Sequence, residues 1–526
     1  MSINDGTRQS NLAHDLFLPT LLFAALGGMT WAVRGCSGFG ALNGCVFAGV
    51  TWGTAWWFIA REPAGHQSRP YASGWIILAL TVGIGLSGAR GWMQWPSFFN
   101  GRLQTNVEAG RWVPIPRING FIWLFIAGVP WAGIGACLLA WCGSRRPTRA
   151  WQWALRLGCG FGVSCLAVIW FNHCPGTFLP LYKSIKAQYL DFVSNPNLRR
   201  LTNDNREAIR HLGLYLGFVL FEIGRKDWKN VKLILTVGLV NGLGWSLLQN
   251  WQWAAPAWPD AHFNFWRCWE SSGGISMGIA YGLAYYLVNR RMPLEEGALQ
   301  GRGLANGQLN LEWLAVYLGL LSAAGFLFIE VLHGWWGALY FGLAGAFGVG
   351  YYLLRRMLLG KGLAELASPQ EDPNLERLGV YLGLLLGLGM SIRNGLKGWF
   401  NLYKGNEAYW DNILWNMAAP LMLVCLLAIL ARILLRPVPR DFQGDTFPHA
   451  YWLIGLVLIV QNVIAQMVTG PYSSWQEVAF SIYYLLLFFI TATILYHYHY
   501  VKVHEAVPEA AGGQGQQPPA VSGCQS

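Results

Sequence analysis

Charge is scarce in this chain. Only 12% of its 526 residues are Asp, Glu, Lys or Arg, where a soluble globular protein carries about a quarter. So little charge cannot clothe a water-facing surface of this size, which argues against a soluble globular class. Cysteine is also sparse as a framework. The ten cysteines contain no Cys-x-x-Cys pair, and several sit inside apolar runs (Cys137, Cys159, Cys165, Cys425), so neither a zinc site nor a disulfide scaffold is predicted. There is no phosphate-binding Gly-x4-Gly-Lys-Ser/Thr and no His-Glu-x-x-His, so neither ATP-driven work nor zinc proteolysis by this chain is predicted, and no cofactor is implied. The formal charge of +11 does not point to nucleic acid, because the basic residues fall at the ends of apolar segments and form no single patch.

What the chain has is apolar residues, 54% of the total, with a mean hydropathy of +0.33. Its 29 Trp and 21 Tyr suit a bilayer, where amphipathic rings collect at the interfaces. A crossing helix needs about 20 mostly apolar residues. Fourteen segments qualify, centred near residues 25, 49, 81, 131, 162, 215, 241, 279, 322, 345, 385, 424, 460 and 487, two of them short or glycine-broken (near 215 and 385). The expected fold class is therefore all-α: a polytopic integral membrane protein of 12–14 spans built from duplicated two-helix hairpins. The lipid bilayer is its first partner. Most hairpins end in basic residues (Arg61, Arg145-Arg146, Arg290-Arg291, Arg355-Arg356, Arg432 with Arg436). The positive-inside rule then places those ends and both termini in the cytoplasm of a bacterial-type cell. The polar stretch before the first apolar run predicts an uncleaved first helix. The expected outer loops are 90–119, 174–206, 250–269 and 393–412.

One pattern recurs four times. Gly-x-Gly-x-Ser ends at Ser87, Ser164, Ser246 and Ser391, and Phe-Asn follows each copy, with its Asn (100, 172, 264, 401) 8 to 18 residues past the serine. Longer repeats accompany it: residues 310–321 echo 374–385, and Arg34-Gly-x-x-Gly resembles His333-Gly-x-x-Gly. Such repetition predicts duplicated building blocks. It suggests a first membrane half (1–293), a cytoplasmic linker (294–310), a second half (311–505) and a disordered tail (506–526), an arrangement that carriers use.

The glycine motif has two readings. Glycine and serine four apart let helices approach closely; alternatively the loosened helix turns carbonyls and the Ser87, Ser246 and Ser391 hydroxyls toward a cavity. The loops that follow share the order aromatic-Asn, base, acid: Asn100 and Arg102 with Glu108, Asn264 and Arg267 with Glu270, Asn401 and Lys404 with Glu407. Flanked by tryptophans, these groups suit a small polar solute or glycan headgroup; an interfacial belt meeting lipid phosphate is the other reading. Within the spans, Asn241, Gln461, Asn462 and Gln466 are expected to bond between helices or to line a polar path. Glu222 is expected to pair with Arg225 and Lys226. No metal site is expected from Glu330-x-x-His333 or from the His497 and His504 face.

Two functions fit. The first is a carrier for a polar, sugar-like solute with an outward vestibule. The alternative is a membrane-embedded transferase acting on a lipid-linked or glycan substrate at the outer leaflet, using acids such as Glu108, Asp260, Glu270 or Asp411; a non-catalytic scaffold is the remaining class.

Overall fold

The computed structural model describes residues 12–36, 42–61, 69–88, 95–289 (except 145, 147, 249 and 262), scattered positions between 379 and 391, and residues 447–469 and 474–504. Asn401, Lys404, the linker 294–310, the tail and most of the second half lie outside the described residues, as do the repeats at 310–321 and 333–337.

The described chain is mostly helical. After a π-helical turn at Ala13–Phe17, the helices are α1 (Leu18–Cys36), α2 (Leu42–Ala60), α3 (Trp75–Ser87), α4 (Trp95–Phe99), α5 (Ile118–Gly143), α6 (Ala150–His173), α7 (Pro175–Phe178), α8 (Lys186–Leu190), α9 (Pro196–Gly224), α10 (Trp228–Leu247), α11 (Ala254–Ala257), α12 (Phe265–Val288), α13 (Phe447–Thr469) and α14 (Trp475–His504). The segments centred near 25, 49, 81, 131, 162, 215, 241, 279, 460 and 487 are each helical. Among the described residues, five helices are long and apolar enough to cross a membrane: Ala13–Gly35, Ile118–Gly143, Trp151–His173, Trp228–Leu247 and Trp475–Lys502.

Two expectations need correction. The chain is not purely helical, because Arg102–Asn106 (β1) and Arg111–Pro114 (β2) form an antiparallel hairpin inside the first expected outer loop. Its turn runs through Gly110 at φ +63°, a conformation that favours glycine. The expected loop 174–206 also ends early. Pro196 at the first helical position opens α9 there, and the 29-residue helix is amphipathic rather than broken near residue 215.

Close backbone approach organises the bundle. On α12, Gly274, Gly278 and Gly282 repeat every four residues and so share a face. A Cβ at Gly274 would stand 1.9 Å from the Gly27 carbonyl oxygen, one at Gly278 2.1 Å from that of Phe23, and one at Gly282 2.4 Å from the Thr20 Cα. These meetings run in opposite chain directions, so α1 and α12 pack antiparallel, backbone on backbone. The same device joins α3 to α5, where Gly83 lies against Gly135, and α6 to α9, where Gly217 lies against the Cys159 carbonyl. Buried indoles fill the space between these pairs: Trp31, Trp52, Trp56, Trp245 and Trp269 are all fully enclosed.

The last two helices pack onto the first two. Lys502 of α14 is buried and donates its Nζ to the carbonyls of Phe58 (2.9 Å), Ile59 (3.0 Å) and Arg61 at the end of α2. A cation there satisfies orphan carbonyls and meets the negative end of the helix dipole.

Candidate functional site

Where α1 ends, α12 begins and α3 stops, one charged pair is sealed inside the bundle. Arg34 and Glu270 are 6% and 1% exposed. Arg34 closes α1, and Glu270 lies in the second turn of α12, started by Asn264, whose Oδ1 accepts the Arg267 backbone N–H at 3.0 Å. The pair is long. A single guanidinium nitrogen, Nη1, stands 3.4 Å from both carboxylate oxygens, whereas a strong Arg–carboxylate fork uses two nitrogens at shorter range. The other terminal nitrogen, Nη2, donates to the Gly88 carbonyl at 2.9 Å.

Gly35 is glycine for a local reason: a Cβ there would fall 2.1 Å from the Glu270 side chain. Aromatic rings complete the walls. The Arg34 guanidinium stands 5.1 Å from the Trp31 ring centroid, a distance at which the ring face attracts a cation. Trp266 donates its indole N–H to the Gly35 carbonyl at 3.2 Å and packs edge-on against Trp269. One residue past Glu270, the Ser271 hydroxyl donates to the Gly28 carbonyl and accepts from Tyr483 of α14 at 2.5 Å. Trp31 and Trp52 stack at 6.1 Å, and both of their indole N–H groups are buried without a hydrogen-bond partner.

The candidate residues fall in several places. Ser87 donates to the Gly83 and Trp131 carbonyls (2.8 and 2.6 Å), Ser246 to the Phe121 carbonyl (3.0 Å) and Ser391 to the Gly387 carbonyl (2.7 Å). These hydroxyls serve helix packing in this conformation. Along α5, Ser87 and Ser246 reach carbonyls ten residues apart, a rise of about 15 Å, so they do not share a depth. Asn264 is engaged as the α12 cap, and its backbone N–H donates to Gln476 at 3.0 Å. Arg267 lays its guanidinium over Phe480 at 4.6 Å. Asn100 is half-buried after α4, and Arg102 is exposed on β1. The first and third loops do meet, but through tryptophan: Trp253 donates its indole N–H to the Phe99 carbonyl at 2.7 Å. Of the acids named for a transferase, Glu108 and Asp260 are exposed, Glu270 is paired with Arg34, and Asp411 lies outside the described residues.

A second buried pair replaces the expected one. Glu222 does not turn to Arg225 or Lys226. Its Oε1 accepts from Arg156 of α6 (Nη2 at 2.7 Å, Nε at 2.8 Å), and its Oε2 accepts from Asn230 at 3.0 Å. Glu222 points inward from α9, whereas Arg225 reaches Thr148 at 2.7 Å. The Arg156 guanidinium lies 4.8, 4.6 and 5.2 Å from the rings of Trp141, Trp153 and Phe221. The network continues outside the helices. Tyr71 donates to Asn230 (2.8 Å), and its backbone N–H donates to Asn289 (2.9 Å). Burial, with Asp227 and Glu222 nearby, pushes the Tyr71 phenol well above its ordinary range. The sequence signal for this pair is one arginine alone in an apolar run, a costly placement in lipid.

The polar groups within these apolar helices bond between helices, one of the two roles expected of them. Asn241 donates to the Gly128 carbonyl (2.6 Å) and accepts from Ser276 (3.1 Å); Asn462 and Gln466 donate to Tyr484 and Ser481 carbonyls of α14. Ser276 centres a Gly-x-Ser-x-Gly, Gly274 to Gly278, and Gly83 to Gly88 has the spacing Gly-x-Gly-x-x-Gly. Both lie within or at the end of apolar helices, not at the strand-to-helix turn that a hydrolase elbow or a dinucleotide site needs. Comparison with family models, with curated proteins and with solved structures finds no match to this chain.

Proposed function

We propose that the protein is a polytopic membrane protein, with both termini cytoplasmic, that carries a polar, sugar-like solute, and that Arg34 and Glu270 form its charged centre. The membrane part rests on uncovered apolar helices. In α6 only 22% of the apolar window is buried, and Leu155, Phe161 and Leu166 are 50–65% exposed. Surface of that kind is stable against lipid and not against water.

The carrier part rests on one observation, the sealed and loosely matched Arg34–Glu270 pair. Ionisable groups are expensive in a span and are kept there where they act. A sugar hydroxyl both donates and accepts. Two neighbouring hydroxyls can therefore accept from Arg34 and donate to Glu270 at once, replacing a long ion pair by shorter bonds. The Trp31, Trp266 and Trp269 faces suit the apolar faces of a pyranose, and the unpartnered N–H groups of Trp31 and Trp52 offer donors along a path inward. In the conformation seen here the centre is closed; solute entry requires the ends of α1 and α12 to part.

Uptake of radiolabelled hexoses and hexuronates by proteoliposomes containing only this protein tests the proposal. Wild type should accumulate one of these classes, and Glu270→Gln should reduce uptake by about tenfold or more, the size expected when a charged hydrogen bond is lost. The doubly neutral variant Arg34→Gln/Glu270→Gln removes the unpaired charge that could unfold the single variant. It should fold and still fail to transport. Wild-type uptake by the double variant would reduce the pair to a packing element, and turnover of lipid-linked glycosyl donors without uptake would favour the transferase.

A further inference from the structure

A groove on the far side of α12 from the charged pair has a different chemistry. It is an open groove of about 570 Å³ lined by Leu248, Trp251, Trp253, Trp258, Ser272 and Ile275, within the size range of small-ligand sites. Tryptophan rings beside a serine would suit a sugar if their polar atoms were available. Most are not. Trp251 donates its N–H to Ser272 at 2.6 Å, Ser272 donates its own proton to the Cys268 carbonyl at 2.8 Å, and Trp253 donates to the Phe99 carbonyl. A polyol entering here would leave its water bonds and gain few in return, a net loss for each group left unmatched. The groove therefore selects an apolar guest.

The neighbouring surface says which guest. Leu239, Leu243 and Leu247 recur every four residues on α10 and are 45%, 52% and 58% exposed; Leu248, 52% exposed, continues them into the groove. An apolar ridge that runs along a helix and ends in a tryptophan-lined groove at the loop end has the form of a lipid-facing surface meeting the interface. A free hydrophobic solute would need no such ridge. A lipid does, because its chain must lie along the helix while its upper part rests among the indoles.

We infer that this groove is a specific site for one acyl chain of a membrane phospholipid. The inference rests on the membrane reading above but not on transport. Its place gives it a consequence: Ser272 is two residues from Glu270, so the lipid and the charged pair bear on opposite faces of the same turns of α12. A chain in the groove braces the segment that must move for the Arg34–Glu270 centre to open.

The test uses the full-length protein reconstituted with phosphatidylcholine bearing a diazirine midway along one acyl chain, irradiated and mapped by peptide mass spectrometry. Adducts are expected on 248–258 and on 272–275, together with adducts along 239–247. Ala257→Trp, which fills the groove from an exposed position on α11, should cut the first set by about fivefold and leave the second unchanged, because only a formed cavity can be filled. Labelling of 248–258 that ignores Ala257→Trp overturns the proposal, as does labelling confined to 239–247. Stronger capture of a diazirine polyprenyl phosphate than of the phosphatidylcholine overturns the choice of guest. Failure of the membrane reading looks different: no adducts on 239–247 either, and release of the protein from membranes by alkaline carbonate.

Discussion

Glu222→Ala is the most informative single perturbation of the fold. Glu222 and Arg156 are 0% and 1% exposed, so removing the carboxylate strands a guanidinium in the bundle. Breaking a buried pair from one side costs about 3–5 kcal/mol. Asn230 also loses the acceptor it holds at 3.0 Å, but that loss is part of the same network and does not add in full. The rings of Trp141, Trp153 and Phe221 stay around the cation as they do in the wild type, so it is not left wholly without attraction, and the lower bound, about 3 kcal/mol, is expected. The double variant Arg156→Met/Glu222→Leu keeps the volume and removes both charges. It should recover most of the loss, since well-packed apolar replacements of buried pairs are often neutral. Denaturant-induced unfolding in detergent, followed by near-ultraviolet circular dichroism, measures all three proteins. Glu207→Ala is the control, because its partner Arg210 is 43% exposed and such surface pairs contribute about 0–1 kcal/mol. If Glu222→Ala unfolds no more easily than Glu207→Ala, or the double variant is no better than the single, the buried-pair reasoning is wrong.

Gly278→Val should destabilise the bundle by about 3 kcal/mol or more, because its Cβ would stand 2.1 Å from the Phe23 carbonyl oxygen and overpacking against backbone cannot relax by a rotamer change; a melting temperature equal to wild type in detergent would refute the antiparallel α1–α12 contact. Asn264→Ala should cost about 1 kcal/mol through loss of the α12 cap, read from the same unfolding assay, so any effect on uptake has to be judged against that loss. Cys174, exposed at the end of α6, should react with an impermeant maleimide in intact cells. Cys165, exposed in mid-helix, should stay unlabelled, because an impermeant reagent does not enter the lipid expected to cover it. Labelling of Cys142 in intact cells, with Cys174 protected, would invert the proposed topology.

Helices at ten of the expected centres were legible because runs of about 20 apolar residues leave the backbone no polar partner except its own. The same local logic exposed the pairing surfaces only in part. Gly-x-Gly-x-Ser stood out by repetition, yet Gly274, Gly278 and Gly282, which carry the α1–α12 contact, were hidden in a glycine-rich chain with 64 such residues. The β-hairpin was missed because Arg102–Pro114 is short and its turn, Thr-x-x-Glu-x-Gly, resembles any polar loop.

In the sequence Arg34 stands out only within the Arg34-Gly-x-x-Gly repeat and Glu270 only as the acid that follows Asn264 and Arg267, and nothing in their surroundings joins them. They are 236 residues apart. Glu222 shows the same limit from the other side: neighbouring Arg225 and Lys226 offered a partner by proximity along the chain, and the fold supplied Arg156 of α6 instead. Composition and periodicity determine that segments become helices and which of them are apolar enough for lipid, because those properties depend on residues within one or two turns. Which faces meet, and therefore which lone cation neutralises which lone anion, depends on side chains brought together from distant segments, and only the packed bundle decides it.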